Sequence, residues 1–200
     1  MSLFIESIKL SDGAFYRLQQ HQKRINRIFK DIFPEEKVFS LSEIISKQDF
    51  PKNGFYKFRL VFDSEIRTLE FLPYRLPVIK SLRVIETSIS TSFYKHADRE
   101  EINRAFLRKG DCDDVLFVQN GLLADTSYCN IALFDGDNWF TPEIPLIYGT
   151  QRAQLLLDNK IFAKPINLFE LYSSYQSICL FNAMIEFGEI IFPINCIRET

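Results

Sequence analysis

Residues 120–134 read Asn-Gly-Leu-Leu-Ala-Asp-Thr-Ser-Tyr-Cys-Asn-Ile-Ala-Leu-Phe. Asn-Gly is the dipeptide that two-residue hairpin turns favour, because both of its positions take positive φ. The apolar run Val115–Val118 before it therefore reads as a strand entering a hairpin, and the stretch 129–134 as a further strand beyond it. Asp125 lies between them, followed by Thr126 and Ser127. An acid in that position ordinarily does no more than shape a turn.

Working outward on the N-terminal side, 3–10 is a short strand stopped by Ser11-Asp12-Gly13. Phe15, Leu18, Ile25, Ile28, Phe29 and Ile32 then recur at three- and four-residue steps, which predicts an amphipathic helix ended at Pro34. His21 falls inside the apolar stripe, where a hydrogen-bonded core histidine is the ordinary reading, and Arg17 and Arg24 flank it. Residues 55–62 alternate, with Tyr56, Phe58, Leu60 and Phe62 on one side and Lys57, Arg59 and Val61 on the other. A strand near 67–72 completes a hairpin, and the two prolines of 73–81 mark a linker. The domain boundary is expected near residue 80, giving a small α+β part over 1–80 and a larger α+β part over 81–200.

On the C-terminal side, 82–89 reads as a strand, and Asp98 with Glu101 as a capping box opening a helix that stops at Gly110. A helix starts at Gly149-Thr150, a short one spans 167–173 with Asn167 as cap, and strands cover 177–181 and 189–194. The fold class is α+β, in two parts, with mostly antiparallel strands.

Composition bounds the function. The chain has 200 residues, 46% of them hydrophobic, with 20 Phe against one Trp, which excludes a disordered chain. Lys and Arg number 24 against 26 Asp and Glu, so no basic surplus calls for nucleic acid. No run of eighteen apolar residues suggests a membrane span, and the first residues lack the pattern of a signal peptide. The four cysteines form no close pair and there are only two histidines, so no metal site is expected and the thiols are expected to be free.

Four features carry chemistry. His21-x-x-Arg24 lies on the first helix. Lys95, flanked by Phe93 and Tyr94, is open to the desolvation that favours a neutral, nucleophilic amine, although most lysines in such places are surface residues. Asp125 is the third. The fourth is Tyr148-Gly149-Thr150-Gln151-Arg152, where the unpaired N–H groups of a helix start can hold an anion.

In order along the chain these are HQKR, YKHADR, NGLLADTSYCNIAL, YGTQR and LFNAMIEFGEI. That order resembles the fold-type IV, class IV aminotransferase-like pyridoxal 5'-phosphate (PLP) enzymes, and among them the 4-amino-4-deoxychorismate lyases. The resemblance covers nearly the whole chain from Phe4 onward. It implies the two-domain architecture of D-amino acid aminotransferase-like enzymes, with Lys95 as the catalytic, cofactor-bearing lysine of the larger domain. Arg24 would hold the cofactor phosphate, with Gly149, Thr150 and Gln151 adding donors from the helix start. Asp125 would face the pyridine nitrogen. Ser7 stands where the lyases carry a hydroxyl, Asn182-Ala183 matches the loop lining the site, and Arg59 is the candidate for a substrate carboxylate. Replacing Arg24 by Ala is expected to weaken cofactor binding with little effect on folding.

Two departures accompany the resemblance. The family usually has Glu where this chain has Asp125, one methylene shorter. The family's strand and Gly-Asp-Gly loop before the segment matching FIES are also missing, so a shortened N-terminal lobe is expected. The implied activity is conversion of 4-amino-4-deoxychorismate to 4-aminobenzoate and pyruvate, a step of folate biosynthesis, by a cytoplasmic homodimer. The alternatives are a class IV aminotransferase acting on branched-chain or D-amino acids, and a non-catalytic PLP-binding relative.

Overall fold

The computed structural model describes residues 2–199. The chain forms two compact units. The first runs to Leu76 and takes in Phe93–Asp98, and the second comprises Pro77–Ser92 with the chain from Arg99 onward. The boundary expected near residue 80 would have put Lys95 in the second part. It belongs to the first because Ile5 N donates to Lys95 O at 2.8 Å and Ala97 N to Leu3 O at 2.8 Å. These two bonds tie the lysine segment to the first strand.

The first unit is built from β1 (Phe4–Ser11), β2 (Ala14–Phe15), α1 (Leu18–Ile32), α2 (Leu41–Ser46), β3 (Phe55–Phe62) and β4 (Ile66–Pro73). Its sheet is antiparallel throughout, in the order β2-β1-β3-β4. The period-two alternation of β1 and β3 turns Phe4, Ile8, Phe58, Leu60 and Phe62 toward Ile25, Ile28 and Phe29 of α1, forming one apolar cluster. Phenylalanine supplies much of it: Phe4 meets Phe33 edge-on at 6.0 Å and Phe58 stacks on Phe71 at 4.9 Å. The helix α2 is not among the elements expected from the sequence. Its signal is Ser40-x-x-Glu43, and Ser40 Oγ does accept from Glu43 N at 3.4 Å.

The second unit contains β5 (Leu82–Glu86), α3 (Glu100–Phe106), β6 (Asp114–Gln119), β7 (Leu122–Thr126), β8 (Asn130–Phe134), β9 (Trp139–Pro142), α4 (Thr150–Leu157), β10 (Phe162–Lys164), α5 (Leu171–Ser174), β11 (Ser177–Phe181), β12 (Ile190–Pro193) and β13 (Ile197–Arg198). Two sheets result, β13-β5-β6-β7 and β10-β9-β8-β11-β12. Strands β5 and β6 pair in parallel, while β6 and β7 form the antiparallel hairpin about Asn120-Gly121. Both turn residues have positive φ, 50° and 77°, as this turn requires. The helix expected to open at Asp98 begins one residue later, with Arg99 in the N-cap position. The helix α3 follows Arg99 and has no side-chain cap hydrogen bond, while Glu100 and Glu101 supply the negative charge that a helix N-terminus favours. The short helix expected over 167–173 is a 3-10 turn, Leu168–Glu170, followed by α5.

Between β7 and β8 the chain leaves one sheet and enters the other. Thr126 holds this crossing, its N–H donating to Cys129 O at 2.9 Å and its Oγ1 accepting from Cys129 N at 3.0 Å. Asp125 and Asn130 are thereby set on either side of a single tight turn. All four cysteines are free thiols, and no helix among the described residues is long and apolar enough to cross a membrane.

Candidate active site

In the first unit, the alternation of β1 sends neighbouring residues to opposite faces. Glu6 joins the core-facing set, and Ser7 lies on the other side. Ser7 Oγ accepts from Lys95 Nζ at 3.3 Å, so the amine stands over that second face. Strand register continues the row: Ser7 is opposite Arg59, and Arg59 opposite Glu70. Arg59 Nη1 donates to Glu70 Oε2 at 2.7 Å. Lys95, Ser7 and Arg59, which the sequence marks separately, therefore share one sheet face.

Toward α1, Glu6 is wholly buried and collects two partners. Its Oε1 accepts from Arg24 Nε at 2.7 Å, and its Oε2 from Arg24 Nη2 at 2.6 Å and from His21 Nδ1 at 2.5 Å. Burial alone would raise the Glu6 pKa, but Arg24 and His21 outweigh it and hold the carboxyl down at about 2. Burial also lowers the pKa of His21 against the pull of Glu6. His21 thus serves as a neutral imidazole donating its Nδ1 proton. The expected indifference of folding to Arg24→Ala does not hold for this arrangement, since the change would strip a buried carboxylate of its cation.

In the second unit, Asp125 is 3% exposed. Its Oδ1 accepts from Asn130 Nδ2 at 2.9 Å and its Oδ2 from Ile147 N at 3.0 Å. Burial raises its pKa to about 6, against the opposing hydrogen bonds from Ile147 and Asn130 and the charge of Arg152. Asn130 Nδ2 also donates to Ile147 O at 2.8 Å, linking the start of β8 to the turn that opens α4. Gly149 closes this turn with ordinary extended backbone, φ −69° and ψ 148°, so it is required for space rather than conformation. A Cβ there would stand 2.0 Å from Asn130 Oδ1.

Thr150 and Gln151 begin α4 and are buried, and Gly149 precedes them without a side-chain cap. The first-turn N–H groups of a helix have no acceptor within it, which makes this end receptive to an anion. Gln151 Nε2 donates to Glu186 Oε2 at 2.8 Å, while its buried Oε1 has no partner among the described residues. Arg152 turns away to Thr141 Oγ1 at 3.3 Å and Pro142 O at 2.8 Å, pinning the helix start to β9. Asn182 is used by the fold: its Oδ1 accepts from Met184 N and Ile185 N, and its Nδ2 donates to Tyr128 O and Cys129 Sγ. The neighbouring Ala183 is half-buried on the same loop.

Three of these residues, Glu6, Asn130 and Arg152, are not singled out by the sequence. Glu6 does leave a signal, as a charge in phase with Phe4 and Ile8 on the apolar side of a strand. Asn130 and Arg152 stand inside the quoted motifs but have no role there.

No protein-family model matches the chain. An uncharacterised protein of Haemophilus influenzae is 26% identical over 181 residues, 90% of this chain and 96% of its own. A structure described as a proposed 4-amino-4-deoxychorismate lyase, from Haemophilus somnus 129PT, is 27% identical with a TM-score of 0.85. That match covers 92% of this chain and 97% of the other. The chain has the fold-type IV, aminotransferase-like fold.

A proposed amino-acid aminotransferase from Mesorhizobium loti shares this fold-type IV architecture at 18% identity and a TM-score of 0.77, with all of both chains covered. A branched-chain aminotransferase from Thermoproteus uzoniensis does so at 18% identity and 0.73, over 98% of this chain but 78% of that one. In extent the present chain is similar to the Haemophilus somnus and Mesorhizobium loti structures.

Proposed function

We propose that the protein is a PLP-dependent lyase acting on 4-amino-4-deoxychorismate. The observation that carries the reading is the similarity, over nearly the whole chain, to the Haemophilus somnus structure, together with a lysine amine placed on a hydroxyl-bearing strand in the first unit. The residues present suit PLP chemically. Arg24 offers the guanidinium edge that Glu6 leaves open, the start of α4 offers N–H donors, and Asp125 offers a carboxylate to a protonated ring nitrogen. When bound, PLP supplies an electron sink for bonds at the substrate's amine-bearing carbon.

The chain's own residues then divide the work. Lys95 would hold the cofactor at Nζ, and once the substrate's own amine has taken its place the freed Nζ would accept a proton from the substrate's amine-bearing carbon and later return it. Ser7 Oγ orients that amine. Asp125 is ionised above about pH 6, the form needed to keep a positive charge opposite it. Arg59, about one-third exposed and already steadied by Glu70, binds a substrate carboxylate. Asn182-Ala183 borders the substrate. We place the enzyme in the cytoplasm as a homodimer on the resemblance alone, and sedimentation would test the assembly.

The experiment is direct. Purified protein mixed with PLP should develop the absorbance of a lysine imine, and Lys95→Ala should lose it. With 4-amino-4-deoxychorismate it should release 4-aminobenzoate and pyruvate. The aminotransferase reading is favoured by the Mesorhizobium loti structure, which matches end to end. Keto acid with pyridoxamine phosphate as products would establish it instead. A protein that stays colourless with PLP would rule out both activities.

A further inference from the structure

Glu6 sits between Phe4 and Ile8 on the core-facing side of β1 and is 0% exposed. An apolar side chain would satisfy the packing there without the several kcal/mol needed to strip a carboxylate of water. The compensation comes from Arg24 and His21, and its form is specific. The two contacts with Arg24 take the Nε–Nη2 edge of a planar guanidinium, fixing both its plane and its rotation. His21, also 0% exposed, locks Oε2 from the far side. Nη1 has no hydrogen-bond partner among the described residues, and Arg24 keeps 9% of its surface exposed.

We propose that Glu6 is a positioning residue: by clamping one edge of Arg24 it presents the other, in a single orientation, to the phosphate of the cofactor. The inference rests on the reading of Arg24 as the phosphate-holding residue. Bidentate contacts to phosphate depend steeply on the plane and angle of the guanidinium, so an arginine already set at the right angle loses less freedom on binding.

Charge and geometry make opposite predictions. With His21 neutral, Glu6 cancels the charge of Arg24, so a role in charge alone would make Glu6 oppose phosphate binding. A role in geometry makes it assist. Glu6→Asp keeps the charge but is one methylene too short to reach both nitrogens. Glu6→Gln keeps the reach but replaces one acceptor by a donor that faces Arg24.

The test measures imine absorbance on titration with PLP and, separately, with pyridoxal, which lacks the phosphate. The ratio of the two affinities reports on the phosphate contact alone, and a merely loosened fold lowers both affinities and leaves the ratio unchanged. The expected result is a fall in the ratio of about tenfold in Glu6→Asp, the scale of one charged hydrogen bond, and a fall in Glu6→Gln as well. An unchanged ratio in Glu6→Asp, or a ratio that rises in Glu6→Gln, overturns the positioning role. A wild-type protein with no preference for PLP over pyridoxal overturns the phosphate reading of Arg24 along with it.

Discussion

Gly149 and Asn130 are locked together by space: the side-chain oxygen of Asn130 occupies the volume that a Cβ on residue 149 would need, with only 2.0 Å between them. Because the amide of Asn130 also holds Asp125, the missing side chain at 149 is a condition for the carboxylate's orientation. Gly149→Ala should therefore destabilise the protein by about 1–3 kcal/mol, the usual range for overpacking. In Asn130→Ala the same change should cost much less. Urea denaturation of the two single variants and the double variant checks this, and simple additivity would refute the coupling.

Asp125 yields a pH dependence. Its folded pKa of about 6 lies above the ordinary 3.8, so the fold favours the protonated form. In the absence of PLP, stability should be highest relative to Asp125→Asn below about pH 4. It should fall by about 3 kcal/mol as the pH rises through 6, since each tenfold difference in proton affinity between the folded and unfolded chain is worth about 1.4 kcal/mol. The difference between wild type and Asp125→Asn, followed by urea midpoints from pH 4 to 7, reads this. Parallel curves would mean that the carboxyl is not strained by burial.

Arg24→Ala should cost about 3–5 kcal/mol, the scale for leaving one member of a buried ion pair alone. Glu6 fixes the sign of the accompanying pH effect. Its folded pKa of about 2 lies below the ordinary 4.5, so its contribution is full above pH 4.5 and is lost as the pH falls toward 2. Arg24→Ala should flatten that acid limb. A variant as stable as wild type at pH 7 would disprove the buried pair.

The thiols should differ sharply in reactivity. Cys112, Cys129 and Cys179 are buried, and burial raises the pKa of Cys129 and pushes that of Cys179 up to about 12. Cys196 is half-buried. A chromogenic disulfide reagent should react quickly with one thiol in the native protein and with four after denaturation. Two or more fast thiols would contradict the burial of Cys112, Cys129 or Cys179.

The hairpin at 120–121, the first helix and the alternating strand at 55–62 are legible in the sequence, because each follows from local chemistry or a short repeat. Lys95, Asp125 and the Gly149 turn are also visible there as places able to carry chemistry. The role of Glu6 depends on contacts with residues 15 and 18 positions away, which no local period reports. Asn130 is hidden for a different reason, since its importance lies in a collision with a side chain that Gly149 does not have. Chain continuity groups Lys95 with the residues that follow it, whereas two backbone hydrogen bonds tie its segment to β1, a long-range pairing that no local pattern reports.

Those two bonds key the amine to the register of a single strand. Moving β1 by one residue along β3 would exchange its two faces, withdrawing Ser7 from beneath Lys95 Nζ and turning a core side chain toward it. The hydrophobic pressure that keeps Phe4 and Ile8 inside is thus also what keeps a hydroxyl under the lysine, and selection for a well-packed strand doubles as selection for an aligned nucleophile.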